Sequence, residues 1–120
     1  MTKYFSTQAS LEDEFTVISL HGELDAETNA AESDLLEFIS ESPGAILIDC
    51  KDLTYISSAG VSVFLSVTHA CRTCNKPVTF FHLKPKIRDV LNIIGLSRLF
   101  SIATNLEEAK QLSGSLQHKL

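Results

Sequence analysis

Strand and helix signals alternate along this chain of 120 residues, and the alternation predicts an α/β domain. The expected architecture is a mixed β-sheet of four to five strands packed with about four helices. Two further observations narrow it. The segment AILID, residues 45–49, is short and continuously apolar, the pattern of a strand buried on both faces. The unit from 45 to 83 reads strand–helix–strand, a crossover that is parallel and right-handed in such sheets. Ligands of open α/β sheets sit beyond the carboxyl ends of the strands, and Ser57 and Ser58 fall there.

The elements can be taken in chain order. Residues 3–9 alternate weakly and predict an edge strand, and FTVISL (15–20) is aromatic and β-branched, as strands are. After the turn HGEL, Asp25 is placed to cap a helix running to about Ser40, with Ala31, Leu35, Phe38 and Ile39 on its apolar face. Pro43-Gly44 makes a turn before the buried strand at 45–49. Pro77 introduces the strand VTFFHL (78–83), and Lys84-Pro85 opens a helix at the position where proline's missing N–H costs nothing. Ile87, Val90, Leu91 and Ile94 recur at helical spacing and Gly95 supplies a C-terminal cap. LFSIA (99–103) predicts a last strand, and Asn105 with Glu108 forms a capping box for a final helix. The whole of 1–120 reads as one domain with its core at about 10–112 and a fraying C-terminal tail.

Composition excludes several classes. Apolar residues at 44% and charged residues at 21% describe a soluble globular chain, and no apolar run is long enough for membrane insertion. Ten basic against fifteen acidic residues, a net charge of −5, argue against nucleic acid as a partner. Three cysteines without an apolar leader segment fit free thiols in a cytoplasmic protein.

On a helical wheel started at Gly60, Val63, Phe64, Val67, Ala70, Cys71 and Cys74 fall on one core stripe, with Ser62, Ser66, His69 and Thr73 opposite. Cys71 and Cys74 of the CRTC motif therefore read as buried thiols. No second C-x-x-C completes a metal site, so no metal is expected. Val61 and Leu65 lie off the stripe on the same side as Ser58. They read either as isolated exposed apolar residues or as a protein-docking strip beside Ser58.

The serine pair admits three readings. One serine caps the helix, a contribution of ~1 kcal/mol. A nucleophile is disfavoured, because Ile56 stands where G-x-S-x-G needs its first glycine and no histidine spacing supplies a base. A covalent phosphate suits the site, since first-turn N–H groups and the helix dipole favour negative charge. There it would join Glu23, Asp25, Asp49 and Asp52 in an acidic surface. Free nucleotide lacks a phosphate-cradling motif, so no cofactor is expected.

Three segments in order resemble the STAS-domain anti-sigma factor antagonists of the SpoIIAA/RsbV type. HGELDAETNAAESDLL resembles their strand-end turn and first helix. ILIDCKDLTYISSAGVSVFL resembles their apolar strand and phosphorylation loop. IRDVLNIIGLSRLFSIATNLEEA resembles their third helix, their L-x-x-x-G-L-x-x-x-F segment and their terminal helix. The resemblance implies a single STAS domain that is a binder rather than an enzyme. It would bind an anti-sigma factor of the serine-kinase type and be switched off by phosphorylation of Ser58, with Ser57 as the second candidate. A PP2C-type phosphatase would reset it. Glu23, Asp25, Ser57, Ser58, Val61 and Leu65 are the expected partner-binding residues. One position departs from the family pattern: Ser57 stands where an aspartate usually precedes the acceptor. Two alternatives stand beside this reading: a STAS subunit that contacts the ATPase of a lipid transporter, which uses the same fold and the same helix, and a small nucleotide-binding domain.

Overall fold

The computed structural model describes residues 4–28 and 32–119, with side chains as far as Gly114. Its elements are β1 (Phe5–Glu12), β2 (Phe15–Leu24), α1 (Glu32–Glu41), β3 (Ile46–Ile56), α2 (Ser58–Thr73), β4 (Val78–Phe81), α3 (Pro85–Ile94), a 3₁₀ turn (Ser97–Leu99), β5 (Ile102–Ala103) and α4 (Leu106–Lys119). The expected mixed sheet forms. Its five strands lie in chain order; β1 runs antiparallel to β2, and β2 through β5 are parallel.

Strand periodicity sorts the core into two layers. Ile18, Leu20, Ile46, Ile48 and Phe80 face one way and pack against Leu35 and Ile39 of α1, Val63 and Phe64 of α2, and Ile87 and Leu91 of α3. Phe64 stacks on Phe80 at 4.5 Å between ring centroids, and Phe100 meets both rings edge-on. Val17, Leu47, Phe81 and Ala103 face the other way, under Ala109 of α4.

Several expectations are corrected. Asp25 caps a turn rather than α1: its Oδ1 accepts from the Glu27 and Thr28 N–H groups at 2.9 and 3.1 Å. Ala31 lies outside the described residues, and Phe38, expected in the core, is 41% exposed. The last strand has two residues, because Ser97–Leu99 coils into the 3₁₀ turn. Cys74 is exposed where α2 ends, although Cys71 is buried as expected. The 3.6-residue spacing carries no information once the helix stops. The remaining caps form as read: Gly95 adopts the left-handed conformation after α3, and Asn105 Oδ1 accepts from the Glu108 N–H at 2.9 Å. Helix α4 runs from Leu106 to Lys119.

Candidate functional site

The site is the junction where β2 and β3 end and α2 begins. Leu24 pairs with Ile56 in parallel register. The Leu24 carbonyl then accepts from the Ser57 N–H at 3.0 Å. That bond ties the start of α2 to the end of the neighbouring strand. The approach is so close that a Cβ on Gly60 would lie 2.3 Å from the Leu24 oxygen and 2.7 Å from Ile56 Cγ1. Glycine is required at 60 for space rather than for an unusual backbone angle.

The two serines separate into different roles. Ser57 is extended, at φ −101° and ψ 178°, and its Oγ accepts from the Gly60 N–H at 3.3 Å. Ser57 is the cap. Ser58 is the first residue of the helix and is exposed. Its hydroxyl stands at the positive end of a 16-residue helix, where anionic groups are stabilised.

Beside the serines lies the end of β2. Glu23 is half-buried, opposite Tyr55. Its carbonyl accepts from Thr28 Oγ1 at 2.7 Å, and Thr28 Oγ1 in turn accepts from the Asp25 N–H at 2.9 Å. This turn holds Asp25 at 6% exposure, so the carboxylate shapes the loop beside α2 from inside it. Asp52 lies on the same end of β3, its Oδ2 3.4 Å from His21 Nδ1.

Three expected members are placed elsewhere. Val61 is 2% exposed and belongs to the core. Leu65 is half-buried and packs against that core. Both result from helix coverage: Val61, Leu65 and Thr68, at i, i+4 and i+7, are all wholly or partly buried, and α1 lies against α2. A wheel with one buried stripe underestimates a helix covered on a second side. Of the outward strip expected at Ser58, Val61 and Leu65, only Ser58 is exposed. Asp49 also leaves the acidic cluster. It lies eight residues back along β3 from Ser57, roughly 26 Å at strand rise, and its Oδ1 is 3.0 Å from His82 Nδ1.

Tyr55, which is not among the residues expected at the site, is exposed beside Glu23, two residues before Ser57. Its signal was the polar–apolar pattern of CKDLTYI, which extends β3 beyond the apolar run.

Among the described residues no group of three or more His, Cys, Asp or Glu side chains is arranged to hold a metal ion. Among the same residues, no helix is long and apolar enough to cross a membrane. Burial pushes the Cys71 thiol up to about 12 and raises that of Cys50 still further, so neither is a nucleophile near neutrality.

Comparison with known proteins converges on one family. The family model described as the STAS domain matches residues 6–109. BtrV of Bordetella bronchiseptica, assigned as an anti-sigma factor antagonist, is 31% identical over 84 residues, covering 70% of this chain and 72% of BtrV. The anti-sigma-B factor antagonist of Listeria monocytogenes is 29% identical over 86 residues, covering 71% and 75% of the two chains. Among solved structures, the anti-sigma factor antagonist SpoIIAA in its unphosphorylated form superposes with a TM-score of 0.67 at 23% identity, covering 91% of this chain and 97% of SpoIIAA.

Proposed function

The chain belongs to the STAS domain family, and from that membership we propose that it is an anti-sigma factor antagonist whose partner docks at the β2–α2 junction and is released by phosphorylation of Ser58. The partner is an anti-sigma factor that is also a serine kinase, and a PP2C-type phosphatase restores the binding form. The observation that carries this reading is the division of labour between the serines. Ser57 is occupied as the cap while Ser58 stands exposed on the first turn.

The chemistry supports a switch. A phosphoryl group brings about −1.5 to −2 charges and three acceptor oxygens to a helix start that favours them. It also adds charge next to Glu23, which pairs with Tyr55 just before the cap, so a partner fitted to the neutral hydroxyl meets new charge and bulk. Ser57 fits this account as well as the family aspartate does. Serine and aspartate cap helices about equally well, and the exchange removes one carboxylate from beside the incoming phosphate. Glu23, Tyr55 and Ser58 are the accessible contacts of the junction, with Asp25 holding the loop and Val61 and Leu65 seating the helix from within.

The test is phosphorylation of the intact chain in lysate of its host with ATP, mapped by fragment mass spectrometry. One phosphate is expected on Ser58, absent from Ser58→Ala and removed by manganese-dependent phosphatase activity. An unmodified chain, or phosphate on Ser57 alone, would sink the switch and leave a constitutive binder.

A further inference from the structure

The charge of this chain is unevenly distributed. Residues 12–41 hold ten of the fifteen carboxylates and no lysine or arginine, whereas residues 84–98 hold four basic residues and one acid. Each region also carries uncovered apolar surface. In the basic region Ile93 is 84% exposed, and Ile94 and Leu99 are exposed near it, on α3 and on the 3₁₀ turn that α3 contacts. In the acidic region a crevice runs between β1 and α1. Phe38 and Ala9 line both of its hollows, of 440 and 370 Å³. Asp34 borders one hollow and Glu41 the other, one turn before and one turn after Phe38 on the same helical face. None of Asp34, Glu41, Arg88 and Arg98 enters an ion pair among the described residues.

We infer that the α3–3₁₀ knob of one copy docks in the β1–α1 crevice of a second copy, giving a weak head-to-tail self-association. The occupant is argued from charge and shape together. The apolar knob of Ile93, Ile94 and Leu99 belongs to a segment with four basic residues and one acid, Asp89, which lies one turn before Ile93, and the apolar crevice has an acidic rim, so the two surfaces are complementary in their balance of charge. Both halves belong to one chain, so a second copy brings the complement without further assumption. The patches differ, so the contact is heterologous and extends beyond two copies rather than closing on itself. The net charge of −5 on every copy opposes association and keeps it weak. This inference is independent of the phosphorylation switch, which uses the other ends of β2 and β3.

The experiment is sedimentation velocity of the purified chain from micromolar to millimolar concentration. Two variants accompany it: Ile93→Glu, which spoils the knob, and Asp34→Lys with Glu41→Lys, which reverses the rim. All three positions are at the surface, so circular dichroism should be unchanged. The wild type is expected to form species larger than a dimer. Each variant alone is expected to weaken association about tenfold or more. Mixed together, the variants are expected to give a one-to-one dimer and nothing larger, since only the intact crevice of the knob variant and the intact knob of the rim variant remain. A wild type that stays monomeric throughout overturns the inference. So does a mixture that fails to pair, which would indicate symmetric pairing through the β1 edge. Loss of anti-sigma factor binding in Ile93→Glu from a monomeric chain would overturn it too, and would reassign the knob to that partner.

Discussion

At the scale of single residues, the two glycines with the most opposite surroundings make the sharpest comparison. Gly60 sits where a Cβ would collide with the Leu24 carbonyl and Ile56, neither of which can move without disturbing the sheet. Gly60→Ala should therefore destabilise the fold by about 2 kcal/mol and loosen the start of α2. Gly114 lies in α4 with nothing near its absent side chain, so Gly114→Ala should stabilise by about 0.5–1 kcal/mol through helix propensity. Urea titration of the pair reads both signs, and equal effects would contradict the close-approach argument. The thiols supply a second prediction at this scale. Cys50 and Cys71 are held neutral in the fold by burial, while an unfolded thiol ionises near pH 8.5. A folded pKa above the unfolded value means that stability is complete below about pH 8.5 and falls as pH rises towards the folded values. The slope should reach up to about 1.4 kcal/mol per pH unit for each thiol. Thermal unfolding between neutral and alkaline pH should show this decline, and it should flatten in a Cys50→Ala, Cys71→Ala chain. Cys74, exposed, should react with a thiol reagent at once, and the other two only as the chain unfolds.

At the scale of elements, α2 shows what periodicity reveals and what it hides. The core stripe through Val63, Phe64, Val67 and Cys71 was legible because one face of the helix meets the sheet. The burial of Val61 was not, because α1 lies against α2 and spacing within one helix says nothing about a second neighbour. The start of α1 misled for a related reason. Asp25 has the chemistry of a cap, but the strand-end turn takes its carboxylate first. The start of α2 offers a prediction that separates capping from switching. Ser57→Ala removes the bond to the Gly60 N–H and should cost ~1 kcal/mol. Ser58→Ala loses no cap and should leave stability within about 0.5 kcal/mol of wild type. Ser58→Asp adds a carboxylate to the first turn and should stabilise the chain by about 0.3–1 kcal/mol while weakening its hold on the anti-sigma factor. Stability and binding moving in opposite directions would mark repulsion at the interface. A parallel loss of both would mean that Ser58 acts through the fold.

At the scale of the whole molecule, the alternation of strands and helices is enough to foretell a mixed sheet, and the order of its elements puts the serines at its carboxyl end. What could not be read was how the two faces of the sheet are covered. AILID announces burial on both sides, yet nothing in its composition tells which helix supplies the second cover. The final helix announces itself only by its capping box, because its apolar contacts are few and small. In the fold that helix is decisive: Ala109, wholly buried, closes α4 over Val17, Leu47, Phe81 and Ala103. The buried hydroxyl pair of Thr79 and Ser113, 2.8 Å apart, secures the helix further along. Ala109→Asp would bury a carboxylate against apolar strand residues with no cation facing it from the cluster. The expected cost is about 3 kcal/mol or more, a large fraction of the stability of a domain this size. Because the opposite layer, with α1, α2 and α3, is untouched by the substitution, the damage should be uneven. Hydrogen exchange should accelerate first in α4 and β5, while amides of α2 and of β3 under it stay protected until global unfolding. Uniform acceleration across both layers would show instead that the two cores fold as one cooperative unit, with α4 as indispensable to the Ser58 junction as the helix that carries it.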